Sequence, residues 1–278
     1  MSHSQPVARR MFELVEPVGM IPFIADEPNE TLGALGLRNY WDTYFAGRAA
    51  PFGASVPAEV IHAVFYNFAP GEVSRHIPEI WNITTPEAAL AARLEGCAAG
   101  LRRILGDLAT DPSIARTADL LTRAGTSAST VGRPIYAALR TIEIPEEPVA
   151  KLWHAANLLR EHRGDGHVVA LVSEGIGGTE AHVLHSLSEN LPAKDFGRVW
   201  HLPSEQLDGV IAGMRDRGLI GEDGWLTDEG RATKQRVEDL TDRLAEPAYD
   251  CLSQAELDQL MVDLKPIATV VNAASPWA

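Results

Sequence analysis

The sequence predicts a mostly α-helical protein in which a duplicated helical domain precedes a smaller C-terminal domain. Three observations predict it. Alanine- and leucine-rich segments with helical spacing fill the 278 residues, and 23 glycines and 18 prolines punctuate them. Strand signals are scarce, the best being the short pair in GLIGEDGWLT, with Asp223-Gly224 as its turn. The third observation is an internal repeat. AGRAAPFGASVPAEVIHAVFYNFAPGEVSRHIPEIW aligns with VGRPIYAALRTIEIPEEPVAKLWHAANLLREHRGDGHVVAL. Gly47-Arg48 matches Gly132-Arg133, Pro57 matches Pro145, Glu59 matches Glu147, and Phe65-Tyr66 matches Trp153-His154. The offset is 85 residues at the Gly-Arg pairs and 88 afterwards, so one copy carries a three-residue insertion. Two such copies would pack about a pseudo-twofold axis and line a cleft with equivalent positions. We therefore expect a first domain over residues 1–190, with a ligand pocket, and a second over 191–278.

The elements follow in order. TPEAALAARLEGCAAGLRRILGDL reads as a long helix, with Thr85 as its N-cap, Pro86 at its first position and Gly106 near its stop. EEPVAKLWHAANLLREHR is helical by the spacing of Val149, Leu152, Trp153, Ala156 and Leu159, and Gly164 and Gly166 are expected to end it. In EGIGGTEAHVLH three glycines make a turn and Thr179 is a cap for the next helix. VLHSLSENL and SEQLDGVIAGMRDRGL are also helical.

Composition narrows the function. Hydrophobic residues make up 45% of the chain and charged ones 22%, as in a globular protein with a sizeable core. No run of 18 apolar residues is present, so no membrane span is expected. The N-terminus lacks the apolar stretch of a secretory signal. Cys97 and Cys251 are too few for a disulfide framework or a cysteine zinc site. These features point to a cytoplasmic protein. The net charge of −14 argues against broad attraction to nucleic acid or anionic lipid, though not against a local basic pocket.

The densest charge lies in LLREHRGDGHVVAL, where Arg160, Glu161, His162, Arg163, Asp165 and His167 sit between apolar segments. A turn through Gly164 and Gly166, followed by a helix that Asp165 caps, would set His167 beside free backbone N–H groups. Arg160 and Arg163 would then donate to an anion. The same residue types would also serve a buried ion network joining the copies. Arg48 lies among Tyr40, Trp41, Tyr44 and Phe45, where a buried guanidinium needs a carboxylate or an anionic ligand, and Glu16 is a candidate partner or base. Tyr44, Tyr66 and His154 join Arg48 and His167 as binding candidates. His182 and His185 could share a metal, but no acidic or cysteine partner stands at suitable spacing, so none is expected. Walker, dinucleotide-binding, hydrolase-elbow and zinc-protease motifs are all missing.

The order helix, RGLI, short hairpin, LTDEGR and long helix, over Ala193 to Val271, resembles the winged-helix domain of MarR-type regulators. LSQAELDQLMVDLKPIATVV resembles the terminal helix that such regulators use for homodimer contacts. From Leu202 to Glu246 there are 6 basic and 11 acidic residues, and the wing around Glu222 and Asp223 is acidic. That balance repels a duplex, so a nucleic-acid partner is not expected.

Taken with GRAAPFG, FYNFAP and LWHAANLLREHRGDGH, these segments resemble an actinobacterial family of helix-turn-helix-like proteins along nearly the whole chain. The chain departs from the family's usual pattern at Gly19 and Pro22 and in VSEGIGGTEAHVLHSLSENLP. Some members serve natural-product pathways, and the chain is similar to the aziridine-forming proteins of azinomycin-type biosynthesis. That resemblance implies a cofactor-independent intramolecular substitution on a small sulfated or phosphorylated amine. Arg48, Arg160 and Arg163 would hold the leaving anion, and Asp165, His162 or Glu161 would take the proton. A ligand-sensing regulator and a noncatalytic binding protein remain the alternatives.

Overall fold

In this computed structural model, residues 5–195 and 202–276 are described. They form helices α1 (Val7–Gly19), α2 (Ile21–Ile24), α3 (Glu27–Gly33), α4 (Tyr40–Ala49), α5 (Ala58–Phe65), α6 (Pro86–Leu105), α7 (Pro112–Ser127), α8 (Pro134–Leu139), α9 (Pro148–Ser173), α10 (Gly178–Ser188), α11 (Ser204–Asp216), α12 (Asp228–Ala245) and α13 (Gln254–Ala273). Among the described residues no strand is extended; a single antiparallel bridge joins Ile220 to Leu226. None of their helices is long and apolar enough to cross a membrane.

The chain divides into two compact units. The first takes Met1–Pro57, His76–Asp165 and Asp242–Ala278; the second takes Ala58–Arg75 and Gly166–Thr241. Helices α9 and α12 contribute to both.

In the first unit local signals set the helix ends. Thr85 accepts from the Ala88 N–H and Pro86 opens α6, which Gly106 stops at φ 55°, as the sequence predicts. Ser253 and Glu256 cap each other at the start of α13. The middle of α6 is smooth enough for α3 to lie against it: a Cβ on Gly96 would stand 2.6 Å from the Pro28 Cα. Met11, Val15 and Val18 of α1 and Leu260, Leu264 and Ile267 of α13 are buried where these two helices pack. The apolar stripe of the terminal helix is thus used within the chain.

Helix α9 corrects the expectation of a turn at Gly164 and Gly166. It runs unbroken for 26 residues through both glycines. Each glycine weakens a helix by about 1 kcal/mol relative to alanine, but bonds from elsewhere hold this turn. Asp165 caps a helix, though not its own. Its carboxylate accepts at 2.9 Å from the Tyr136 N–H, in the first turn of α8. His167 lies inside α9 rather than at a helix start, so the anion site expected from free N–H groups there does not form.

The second unit surrounds a core of Leu171, Val183, Leu184, Met214, Ile220, Leu226 and Val237. Tyr66 packs against it. Thr179 is not the cap of α10: Gly177 occupies that position, and its N–H donates to Glu180 at 2.8 Å. Gly178 is required there, because a Cβ would stand 2.1 Å from the Tyr66 carbonyl oxygen. The predicted hairpin shrinks to the Ile220–Leu226 bridge, closed by Gly221 N–H to the Trp225 carbonyl at 2.8 Å with Gly224 at φ 83°. The segments aligned as repeats take different forms, since Ala58–Phe65 is one short helix and Pro148–Ser173 a long one.

Candidate functional site

The arginines singled out in the sequence are held by carboxylates. Arg48, in the last turn of α4, donates to both Glu161 oxygens at 3.0 and 2.9 Å and to the Tyr44 hydroxyl at 2.7 Å. Arg160 donates to Glu161 at 2.9 Å and to Glu16 at 3.1 Å. Its stem lies against α1 because position 19 is glycine; a Cβ there would meet the Arg160 Cδ at 2.7 Å. Burial opposes the ionised form of Glu161, yet Arg48, Arg160 and Arg93 outweigh it and hold the pKa below the ordinary carboxylate value. Arg163 donates to Asp242 at 3.0 Å, which Arg9 also approaches at 2.8 Å, and lies 4.0 Å over the Phe12 ring. An anion entering this region would have to displace carboxylates already in place.

The other predicted residues are scattered. His162 packs edge-on against Tyr136, and burial with Arg133 nearby lowers its pKa to about 4. Burial raises Asp165 to about 7, with Glu161 adding to the effect and the Tyr136 N–H and Arg133 opposing it. His167 bonds Thr241 at 2.9 Å, and the Tyr66 hydroxyl donates to the Ile176 carbonyl at 2.5 Å, both within the second unit. His182 bonds the Asn67 carbonyl, and among the described residues no group of three or more His, Cys, Asp or Glu side chains could hold a metal.

Of the predicted residues, His154 alone lines the cavity where buried polar groups lack partners. This cavity, of about 310 Å³, lies in the first unit between α6, the segment after α8, and α9. Its floor is Arg93, Trp153, His154 and Asn157, which are 6, 3, 4 and 1% exposed. Leu94, Leu139 and Ile144 form apolar walls, and Glu143 and Glu146 stand exposed at the mouth. Trp153 and Asn157 come from successive turns of α9, while Arg93 reaches in from α6.

The floor is polar and incompletely satisfied. Arg93 donates to the Gly47 carbonyl at 3.0 Å and lies 5.4 Å over the Trp153 ring, but no carboxylate among the described residues pairs with it. Burial lowers its pKa from the ordinary arginine value. The guanidinium still carries its charge at neutral pH. Trp153 Nε1, His154 Nε2 and Asn157 Oδ1 are buried without a hydrogen-bond partner. Each such group costs about 1–3 kcal/mol. Burial, and then Arg93, push the pKa of His154 down to about 4, so its ring is neutral at pH 7. A positive charge, an indole donor, a neutral imidazole and an amide thus converge on one space. They can bind an anion and orient it.

Sequence reasoning missed Arg93, Trp153 and Asn157 as site residues. The sequence places Arg93 on a helix face beside Ala89, Leu90, Gly96 and Cys97, but its lack of a bonded carboxylate is not visible there. Asp165, His162 and Glu161, the proton acceptors proposed from the sequence, are not among the residues lining this cavity.

The sequence pattern of a helix-turn-helix family matches residues 8–277. The chain belongs to that family. No curated protein and no solved structure matches it. In this helix-turn-helix member, four of the basic groups around α11 and α12 are engaged. Arg217 donates to the Gly175 carbonyl and pairs with Glu180, both at 2.6 Å; Arg236 pairs with Glu174 and Glu229, both at 2.9 Å. Arg231 pairs with Asp228 and Lys234 with Glu238.

Proposed function

We propose that this helix-turn-helix protein binds a small anionic metabolite in the cavity of its first unit. One observation carries the reading: Arg93 is buried, charged and without a carboxylate, beside three unpartnered polar atoms. Removing any of these groups from water is unfavourable unless something else completes the bonds. A carboxylate, sulfate or phosphate would do so, and apolar walls would take the body of the ligand.

The finer reading is catalytic and rests on the resemblance to aziridine-forming proteins. In it the anion is the leaving group of an intramolecular substitution on an amine. A C–N bond forms as the C–O bond to the sulfate or phosphate breaks. Arg93, rather than Arg48, Arg160 or Arg163, receives the departing anion, and the ammonium proton is lost to solvent. No cofactor is called for.

A thermal-shift titration with acetate, sulfate and phosphate tests the binding step. The wild type should gain stability with anion concentration, and Arg93→Gln should lose the gain. Asn157→Asp places a carboxylate where the anion would sit. It should raise the anion-free melting temperature and abolish the response, which separates lost binding from lost folding. No response in the wild type, or an equal response in both variants, overturns the reading.

We also infer that α11, the Ile220–Leu226 bridge and α12 form the winged helix that the sequence resembles. Ligand-controlled DNA binding is a second reading, favoured by the family match. The carboxylates that hold Arg217, Arg231, Lys234 and Arg236 count against it. A mobility-shift assay at low salt, with and without anion, decides: we expect no shift, and a saturable, anion-sensitive shift would replace our first reading with this one.

A further inference from the structure

The two ends of the cavity carry opposite charge. Arg93 sits at the floor; Glu143 and Glu146 stand at the mouth. Between Ile142 and Pro148 there are three glutamates, and they divide by role. Glu147 accepts from the Val149 and Ala150 N–H groups at 3.2 and 2.8 Å and pairs with Arg102 at 3.1 Å, so it caps α9 and holds a neighbour. Among the described residues, no cation pairs with Glu143 or Glu146. Neither carboxylate accepts a bond that would explain its place.

A ligand that is only an anion would be drawn to Arg93 and repelled at the mouth. One with a positive group at the far end is complemented at both ends. The walls between, Leu94, Leu139 and Ile144, suit an uncharged spacer. The volume of about 310 Å³ is at the small end for a metabolite site.

We propose that the ligand is a zwitterion that enters anion first. Its anionic group lies on Arg93 with Trp153, His154 and Asn157, and its ammonium lies between Glu143 and Glu146. The proposal rests on the anion reading above and adds a cation subsite to it. It also sets the direction in which the ligand sits, with the amine nearest solvent, and so stands in place of the catalytic reading, which needs the amine beside the departing anion at the floor.

Calorimetric titration with three linear compounds tests it: heptanoate, ω-aminohexanoate and pimelate. They share one carboxylate and end in a methyl, an ammonium and a second carboxylate. The order of affinity should be ω-aminohexanoate, then heptanoate, then pimelate. Because the mouth is exposed, the ammonium should gain only on the order of threefold to tenfold. That gain should shrink at about 0.5 M salt, where screening is strong. Glu143→Gln combined with Glu146→Gln should remove the preference, weakening ω-aminohexanoate while heptanoate, no longer repelled at the mouth, binds at least as well as before. Both positions are exposed, so the double variant should keep the wild-type melting temperature. Equal affinities, tightest binding of pimelate, or a preference that survives the double variant overturns the zwitterion and leaves the anion site standing. Failure of all three compounds to bind overturns the anion reading, and the zwitterion falls with it.

Discussion

Two sets of arginines lie buried or half-buried in the first unit, and they differ in what faces them. Arg48 and Arg160 surround Glu161, with Glu16 and Tyr44 completing their bonds. Arg93 has one backbone carbonyl and the face of Trp153, and Glu161 acts on it only through space, without a bond. Both sets are costly to desolvate, but only the first is repaid by carboxylates bonded to it. The first therefore belongs to the architecture, tying α1 and α4 to α9. The second is left for something that arrives from outside. A cluster of charge is thus a poor guide to a ligand; a buried charge without its counter-charge is a better one.

The largest effect should come from breaking the paired set. Glu161→Gln leaves the half-buried Arg48 without a carboxylate and Arg160 with Glu16 alone. We expect a loss of about 3–5 kcal/mol in unfolding free energy, as for a buried pair that has lost one partner. Denaturant titration checks it. The Arg93 substitution proposed above removes a charge that has no carboxylate to strand, so it should destabilise far less. If Glu161→Gln were nearly neutral, the contrast between the two sets would collapse.

That contrast also explains what could be read from the sequence. The ends of α6 were legible because Thr85, Pro86 and Gly106 act on their own turns. The continuation of α9 through Gly164 and Gly166 was not. Two glycines argue locally for a stop, and the bond that holds Asp165 lies 29 residues away on Tyr136. The charge cluster itself was visible, and a structural network was one of its readings. Its partners were not visible, because Glu16 is 144 residues from Arg160 and Asp242 is 79 from Arg163. Arg93 was hidden for the opposite reason. The lack of a partner is a property of the folded space, and no spacing in the sequence records it.

Asp165 stands between the two sets, and its titration sharpens the comparison. It is a buried carboxylate facing backbone N–H groups at the start of α8, with Arg133 as its nearest countercharge. Burial raises its pKa from the ordinary 3.8 to about 7. The sign is the reverse of the usual carboxylate. Between these values the folded protein holds a proton that the unfolded chain has released, so stability falls as pH rises through this window. His154 and His162, both lowered to about 4 chiefly by burial, act the other way: they cost stability as pH falls from 6.5 towards 4. Asp165→Asn isolates the carboxylate, because an amide oxygen can still accept from the Tyr136 N–H. The variant should match the wild type near pH 4, gain progressively up to pH 7, and stay more stable above it by up to about 4 kcal/mol. Melting temperatures of both proteins across this range decide the matter. A constant difference at every pH would mean that Asp165 is ionised throughout, paired as firmly as Glu161, and that only Arg93 lacks its counter-charge.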